Sequence, residues 1–167
     1  VIPTWQRNEL LLETLDHIQE QTYKNVEVII VSDGPQSLYN LDLVNRNYSI
    51  IELGRNWSGL MPDSFGIAPL LVGYLIATGD YIMPWCDDER ALTTQHIEKL
   101  VYLISNPLEL DFVYPKVCVW RVGEPEGPET RIIGTYPAKE NEVTHYLFRA
   151  STLWKYGMPD WHTHPVD

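Results

Sequence analysis

Three consecutive carboxylates follow an apolar stretch in the middle of the chain: Asp87, Asp88 and Glu89, directly after Cys86. Carboxylate oxygens are the ligands that Mg²⁺ and Mn²⁺ prefer, and a Mg²⁺ site commonly combines one or two of them with substrate phosphates. Adjacent carboxylates repel one another unless a cation or a hydrogen-bond donor offsets their charge. The segment therefore indicates either a metal site or a solvated turn at a helix start, where acidic residues are also favoured.

Two further polar positions stand where predicted strands end. Asp33 follows the apolar run Val28 to Val31, so its carboxylate can accept a hydrogen bond from a base imide or a ribose hydroxyl. The alternative for Asp33 is an Asx-turn, which an Asp-Gly pair commonly forms. Trp5 lies in the first predicted strand-to-helix loop, where its ring can stack on a nucleobase or pack beneath the helix.

A polar cluster near the carboxyl terminus contains His162 and His164, flanked by Asp160 and Asp167. Two histidines at i and i+2 face opposite sides of a strand, but from a loop they can converge on a metal ion. Surface histidines without a ligand role are the alternative. Asp160 and Asp167 are candidate general bases, although Asp160 also suits a turn.

Charge and motifs exclude several classes of protein. The chain has 167 residues with 23 acidic and 12 basic side chains, which gives a net charge of -11. We therefore expect no binding to nucleic acid or to anionic lipid, since both normally require a basic face. The G-x-S-x-G, G-x-G-x-x-G and P-loop motifs are absent, which removes the usual serine-hydrolase, dinucleotide-binding and NTPase interpretations.

Apolar runs and cysteines lead to an expectation about the cellular compartment. No run is long enough to span a bilayer and no leader-like segment precedes the first strand, so we expect a cytoplasmic protein without a membrane span. Cys86 and Cys118 have neither disulfide-framework nor C-x-x-C spacing, as in a reduced compartment. Because the chain lacks an initiator Met, we expect its termini to be trimmed.

The pattern of apolar and turn residues predicts strands that alternate with helices over most of the chain. Predicted strands are 1–4, 26–31, 48–53, 81–85, 113–121, 131–136 and 144–148, and predicted helices are 8–21, 38–44, 63–79, 93–104 and 151–156. Asn8 is expected to cap the first helix, and Asp63 or Ser64 the third. This order is typical of a single α/β domain with a mostly parallel sheet and an antiparallel addition.

The predicted sheet has to position the polar segments. In such sheets, ligands bind beyond the carboxyl ends of the strands. Segments 4–7, 32–34 and 86–89 all follow predicted strands. We therefore expect these three segments to converge at one edge of the sheet.

Several segments resemble, in the same order, the family 2 glycosyltransferases with a GT-A fold. Residues 1–8, VIPTWQRN, are similar to that family's V-I-P-T-Y-N-R, and residues 21–34, QTYKNVEVIIVSDG, to its Q-T-Y-x-N-x-E-V-I-V-V-D-D-G. Residues 77–82, ATGDYI, followed by Cys86-Asp87-Asp88, are similar to its A-x-G-x-Y-I and DxD stretch, and residues 145–158 to a later strand, short helix and glycine. The resemblance implies a GT-A (Rossmann-like) domain with a nucleotide-binding half at about 1–105 and an acceptor-side half at about 106–167.

The resemblance also implies a function: an inverting glycosyltransferase that uses Mn²⁺ or Mg²⁺ to move a sugar from a UDP-sugar to an unknown acceptor. Asp88 would be the metal ligand, with His162 or His164 as a further metal or phosphate contact. Asp167, in Val166-Asp167, the nearest counterpart of the family's later E-D motif, would be the catalytic base, with Asp160 as the second choice. The residues that would bind the nucleotide are Pro3, Thr4, Trp5, Arg7, Asp33, Arg55 and Asp87.

Two departures from the family pattern affect these assignments. Cys86 replaces the first Asp of the DxD motif, and we expect a buried, inert thiol there. Pro69-Leu70-Leu71 stands where the family has A-R-N, so an arginine is missing for which Arg55 or Arg7 would compensate.

Two rival functions follow from the same resemblance. One is a nucleotide- or sugar-binding module of the same fold that has lost its base. The other is a nucleotidyltransferase, which would need a glycine-rich, basic loop after the first strand. Residues 4–9 contain no glycine, which disfavours the nucleotidyltransferase.

Overall fold

The structure, a computed structural model, describes residues 1–38, 43, 48–60, 66–105, 110–115, 117–119, 131–133 and 146–156. Its strands are β1 (Ile2–Thr4), β2 (Ile29–Ser32), β3 (Ser49–Glu52), β4 (Tyr81–Ile82), β5 (Phe112–Val113), β6 (Val117–Val119), β7 (Arg131–Ile133) and β8 (Leu147–Arg149). Its helices are α1 (Asn8–Gln19), α2 (Ile67–Ile76), α3 (His96–Ser105) and α4 (Ala150–Tyr156). Strands and helices alternate up to α3 except between β2 and β3, where most of the predicted helix 38–44 lies outside the described residues.

A parallel sheet of three strands forms the half that carries most of the candidate residues. β1, β2 and β3 pair in parallel with β2 in the middle, and the register sets Thr4 beside Ser32 and Ser32 beside Glu52. All four residues of β2 are buried, as expected for a β-branched strand that is covered on both faces. The three strands therefore end at one level, and the loops that follow them emerge side by side.

The remaining strand pairs are antiparallel. β8 lies between β4 and β5, and β6 pairs with β7. Backbone hydrogen bonds join this half to β1, because Val1 N donates to Met83 O at 2.8 Å and Trp85 N–H donates to Val1 O at 2.9 Å. The segment after β4 therefore runs along β1 and carries residues 86–89 to its carboxyl end.

Helix α1 holds the same segment from the other side. Leu11 and Leu15 lie one turn apart and are fully buried in the core. Thr14, buried on the same face, donates its hydroxyl hydrogen to Asp87 O at 3.0 Å. One face of α1 therefore supplies both apolar packing and a polar contact to the acidic segment.

A buried glutamine connects the end of α1 to the start of α3. Gln21 Nε2 donates to Thr93 O at 3.1 Å, and Gln21 Oε1 accepts from Ile97 N–H at 3.2 Å. Thr22 N–H also donates to Thr94 O at 2.7 Å. The loop that contains the acidic residues is consequently fixed at its far end, before α3, as well as at β1.

Helix α2 closes the core over the parallel sheet. Gly73 faces the strand, where a Cβ atom would lie 2.2 Å from Val1 Cγ1, so only glycine allows this approach. The hydroxyl of Tyr74 is 3.0 Å from that of Tyr146. Burial raises the pKa of both phenols, so this pair stays neutral at ordinary pH.

Several predicted boundaries are wrong. β2 begins at Ile29 rather than at Val26, whose side chain is 38% exposed, because strand pairing with β1 and β3 starts only there. Asn8 is not the cap of α1, since that position is Arg7 without a side-chain hydrogen bond. α2 begins after Gly66, which has a left-handed conformation with φ of 71°, and the predicted caps Asp63 and Ser64 lie outside the described residues.

Most of the predicted helix 38–44 lies outside the described residues. The predicted strand 113–121 corresponds to β5 and β6, two strands interrupted at residues 114 and 115. Among the helices that the structure describes, none combines the length and the apolar character needed to cross a bilayer.

Candidate active site

The three polar segments meet at the carboxyl ends of the strands, as the sequence predicts. Thr4, the last residue of β1, donates its hydroxyl hydrogen to Asp87 Oδ2 at 2.7 Å, and both side chains are buried. Asp33 N–H donates to Thr4 O at 2.8 Å, which places the end of β2 beside the same residue. Thr4 thus joins the second and third segments.

Arg7 bridges the two aspartates. Its Nη1 atom lies 3.2 Å from Asp87 Oδ1 and 2.7 Å from Asp88 Oδ2. The side chain of Asp87 is 5% exposed, whereas those of Asp88 and Arg7 are 45% and 52% exposed. Burial raises the pKa of Asp87, while the hydrogen bond from Thr4 and the charge of Arg7 act in the opposite direction. Asp87 is therefore a fixed, inward-facing carboxylate, and Asp88 is the one that solvent reaches.

An unusual backbone conformation precedes Arg7. Gln6 has a φ of 55°, in the left-handed region that a residue with a side chain seldom adopts. The Gln6 N–H donates to the Gln36 side-chain oxygen, which holds the loop in this conformation. Such conformations are kept where the surroundings determine them, and here the result is that Arg7 faces the acidic segment.

Glu89 and Cys86 close a turn around the aspartates. Cys86 N–H donates to Glu89 Oε2 at 3.1 Å, and Glu89 N–H donates to Cys86 O at 3.2 Å. Burial, together with the charges of Glu89, Asp88 and Asp87, raises the pKa of the Cys86 thiol. The side chain is half-buried, and the raised pKa favours the protonated thiol, which is the less reactive form; its inertness stays a prediction. The Glu89 carboxylate is used as a hydrogen-bond acceptor within the turn.

Asp88 fits a divalent cation of the kind that takes most of its ligands from a substrate. Within the described part of the chain, no group of three or more His, Cys, Asp and Glu side chains is placed to hold a metal. A Mg²⁺ site, however, needs only one or two carboxylates when substrate phosphates and water complete the coordination. The exposed carboxylate of Asp88 meets that requirement. The other predicted metal and base residues, His162, His164, Asp160 and Asp167, lie outside the described residues.

Asp33 anchors the loop that follows β3. Its two carboxylate oxygens accept backbone N–H groups, Oδ1 from Trp57 at 2.8 Å and Oδ2 from Ser58 at 2.9 Å. Bonds of this charge-assisted kind are among the stronger ones in proteins. A nucleotide contact by Asp33, which would use the remaining lone pairs, stays a prediction. Sequence reasoning missed Trp57 and Ser58, because no local pattern relates them to a carboxylate 24 and 25 residues earlier.

Gly34 brings the loops after β1, β2 and β3 into contact. A Cβ atom at this position would lie 2.6 Å from Trp5 Cζ3 and 3.0 Å from Asn56 N. Trp5 therefore packs against Gly34 and remains half-buried, so part of its surface is open to solvent. In the third loop, the Arg55 guanidinium lies 5.3 Å from the centre of the exposed Trp57 ring. The predicted residues Trp5 and Arg55 thus stand on loops that meet at Gly34.

Substitution of Gly34 with Ala is expected to lower the free energy of unfolding by about 2 kcal/mol or more, because φ is 133° and the new methyl group overlaps the Trp5 ring. Denaturant unfolding measures the loss, and tryptophan fluorescence reports the displaced ring. Gly54→Ala is the matched control, since a Cβ there meets nothing within 4 Å. Equal stability of the two variants would contradict the proposed packing.

Among the residues that the structure describes, cavities lie at opposite ends of the sheet. One of about 610 Å³ opens beside the Arg7 loop and is lined by residues 6–10 and Gln36. Another of about 420 Å³ lies near the amino ends of β1, β2 and β4 and is lined by none of the predicted site residues. The carboxyl-end cavity therefore adjoins the polar segments, and the other does not.

Comparison with known proteins connects this arrangement to a family. The profile of glycosyl transferase family 2 matches residues 1–135. The chain is 31% identical over 146 residues to an uncharacterized glycosyltransferase, YwdF, of Bacillus subtilis, and 32% identical over 154 residues to the amylovoran biosynthesis glycosyltransferase AmsB of Erwinia amylovora. These matches cover 86% and 89% of this chain but 51% and 49% of the relatives, so the chain spans about half their length.

A solved structure shares the fold. S. aureus TarS 1-349 in complex with UDP superposes with a TM-score of 0.67 at 18% sequence identity, covering 93% of this chain and 47% of that chain. The same TarS fragment was also crystallised with UDP-GlcNAc. At this identity the similarity establishes the GT-A fold of the present chain.

Proposed function

This chain belongs to glycosyl transferase family 2, and from that premise we propose that it moves a sugar from a UDP-linked donor to an acceptor hydroxyl, with inversion at the anomeric carbon. The crystal complexes of TarS with UDP and with UDP-GlcNAc support a uridine nucleotide as the donor carrier. Inversion rests on the sequence resemblance.

The observation that carries the proposal is the exposed carboxylate of Asp88 at the carboxyl edge of a parallel sheet. Asp87, held by Thr4 and Arg7, fixes the turn from which Asp88 projects. This is the edge at which open α/β sheets bind their ligands. Trp5 borders it with a half-buried ring that suits a base on its open side.

Asp88 would hold Mn²⁺ or Mg²⁺. The ion would neutralise the negative charge that develops on the departing diphosphate. The chain offers few positive charges of its own for that task, since it carries 12 basic against 23 acidic residues. The acceptor hydroxyl would lose its proton to a carboxylate as it attacks the anomeric carbon, and Asp167, then Asp160, are the residues proposed for this step.

Calorimetric titration with UDP tests the proposal. We expect UDP to bind in the presence of Mn²⁺ and to bind at least about tenfold more weakly when the metal is chelated, because the diphosphate must otherwise face carboxylates directly. UDP binding that is undetectable, or equal with and without Mn²⁺, would contradict the proposal. Slow donor hydrolysis without an acceptor separates an enzyme from a binding module, which should leave the donor intact.

A further inference from the structure

The cation position at the acidic pair is already filled by a side chain of the protein. Arg7 contacts Asp88 Oδ2 at 2.7 Å, the same carboxylate to which the proposed function assigns the metal. We propose that Arg7 is a displaceable counter-ion of Asp88. When the donor binds, the metal–diphosphate complex takes the place of the Arg7 guanidinium at the Asp88 carboxylate. This inference rests on the proposed function and concerns how the binding of the metal depends on the binding of the nucleotide.

The two contacts of Arg7 differ in how easily they can be broken. Asp87 is buried and also receives the Thr4 hydroxyl, so a loss of its partners would leave a buried charge uncompensated. Asp88 and Arg7 are each about half-exposed, and water can replace either partner. Exposed pairs of this kind contribute little to stability. The Arg7–Asp88 contact is therefore the one that opens.

The loop geometry favours a movement of the side chain rather than of the backbone. The hydrogen bond from Gln6 N–H to the Gln36 side chain fixes the backbone just before Arg7. Arg7 lies immediately before α1, and its carbonyl oxygen accepts a hydrogen bond from Leu11 N–H at 2.9 Å. Between these two restraints the guanidinium can turn about its side-chain bonds while the α-carbon stays in place.

Displacement couples the two ligands. A free metal ion must compete with the Arg7 guanidinium for Asp88, and it provides no new partner for the guanidinium that it releases. A metal–diphosphate complex offers the released guanidinium phosphate oxygens, which its planar fork of N–H groups binds well. Arg7 therefore weakens the binding of metal alone and strengthens the binding of metal together with nucleotide.

Substitution of Arg7 tests this coupling without any measurement of activity. Mn²⁺ is titrated into the protein in the absence of nucleotide, and the signal of the free ion is followed by electron paramagnetic resonance. Arg7→Gln is expected to bind Mn²⁺ about two- to tenfold more tightly than the unmodified protein. Arg7→Lys, which keeps the charge but not the fork, should lie between the two. At saturating Mn²⁺, Arg7→Gln should bind UDP about three- to tenfold more weakly.

Lys24→Gln is the matched control for the change in net charge. Lys24 donates to Gln19 O at 2.8 Å on the exposed surface beyond α1, away from the acidic pair. Its replacement should change Mn²⁺ affinity by less than about twofold, since charges separated by more than a Debye length are screened.

Three results would overturn the inference or its premise. Mn²⁺ affinity that is equal or lower in Arg7→Gln than in the unmodified protein would refute the displacement of Arg7, and so would a gain in Lys24→Gln equal to that in Arg7→Gln. In both cases, Mn²⁺-dependent UDP binding by the unmodified protein would leave the proposed function standing. If the unmodified protein binds no UDP with Mn²⁺, the proposed function itself fails.

Discussion

Replacement of Asp88 with Asn should lower the rate of sugar transfer by about 100-fold or more, because a positioned metal supplies several kcal/mol of charge stabilisation to the departing diphosphate. The amide keeps the shape of the side chain but loses the negative charge that would hold the ion under the proposed function. Stability should change little, since the Asp88–Arg7 pair is half-exposed and Arg7 retains Asp87 as a partner.

Transfer assays with and without Mn²⁺, together with UDP calorimetry, measure this effect. Asp80→Asn is the matched control, because Asp80 is an exposed aspartate before β4, at the opposite end of that strand from the acidic turn. The control should retain full Mn²⁺ dependence. An Asp88→Asn variant that still binds UDP in an Mn²⁺-dependent way would remove Asp88 from the metal site.

Replacement of Asp33 with Ala should lower the free energy of unfolding by about 3–6 kcal/mol and weaken UDP binding as well. Two backbone N–H groups, those of Trp57 and Ser58, lose a charged acceptor, and such hydrogen bonds contribute about 1.5–3 kcal/mol each. The loop after β3 then loses the contact that sets it against Gly34 and Trp5. Asp33→Asn, which keeps one carbonyl oxygen, should cost about half as much.

Urea unfolding of the two Asp33 variants gives the stability difference, and UDP calorimetry gives the difference in binding. Asp80→Ala serves as the control for removal of a carboxylate. If Asp33→Ala is as stable as this control, the two hydrogen bonds do not anchor the loop. If stability falls but UDP affinity is unchanged, the loop plays no part in nucleotide binding.

The sequence predicted the edge of the sheet at which the site forms, but not the contacts between the side chains of the site. Thr4 ends an apolar strand, and Asp33 and Asp87 follow apolar segments. Parallel strands end at one edge of a sheet, so the convergence of these residues could be inferred from local patterns. The pairing of Arg7 with Asp88 joins residues 81 positions apart. No periodicity encodes such a pair, because it depends on how the β1–α1 loop turns at Gln6.

Boundaries failed where tertiary contacts override local preference. Val26 has a strong strand propensity, yet β2 starts at Ile29, where its neighbours β1 and β3 provide partners. Asn8 is a good cap in isolation, but the Arg7 position takes that place in the structure. The start of α2 after Gly66 likewise depends on the left-handed backbone conformation of this glycine, which the neighbouring sequence does not predict.

The buried Gln21 bridge has a consequence for the thermodynamics of association. Because Gln21 ties Thr93 and Ile97 to the end of α1, and Trp85 is bonded to Val1, the acidic loop is restrained on both sides. The conformational entropy of this loop is lost when the chain folds and not when a ligand arrives. Donor binding should therefore cost little conformational entropy in this loop. The main loss of conformational entropy on donor binding should come from the side chain of Arg7.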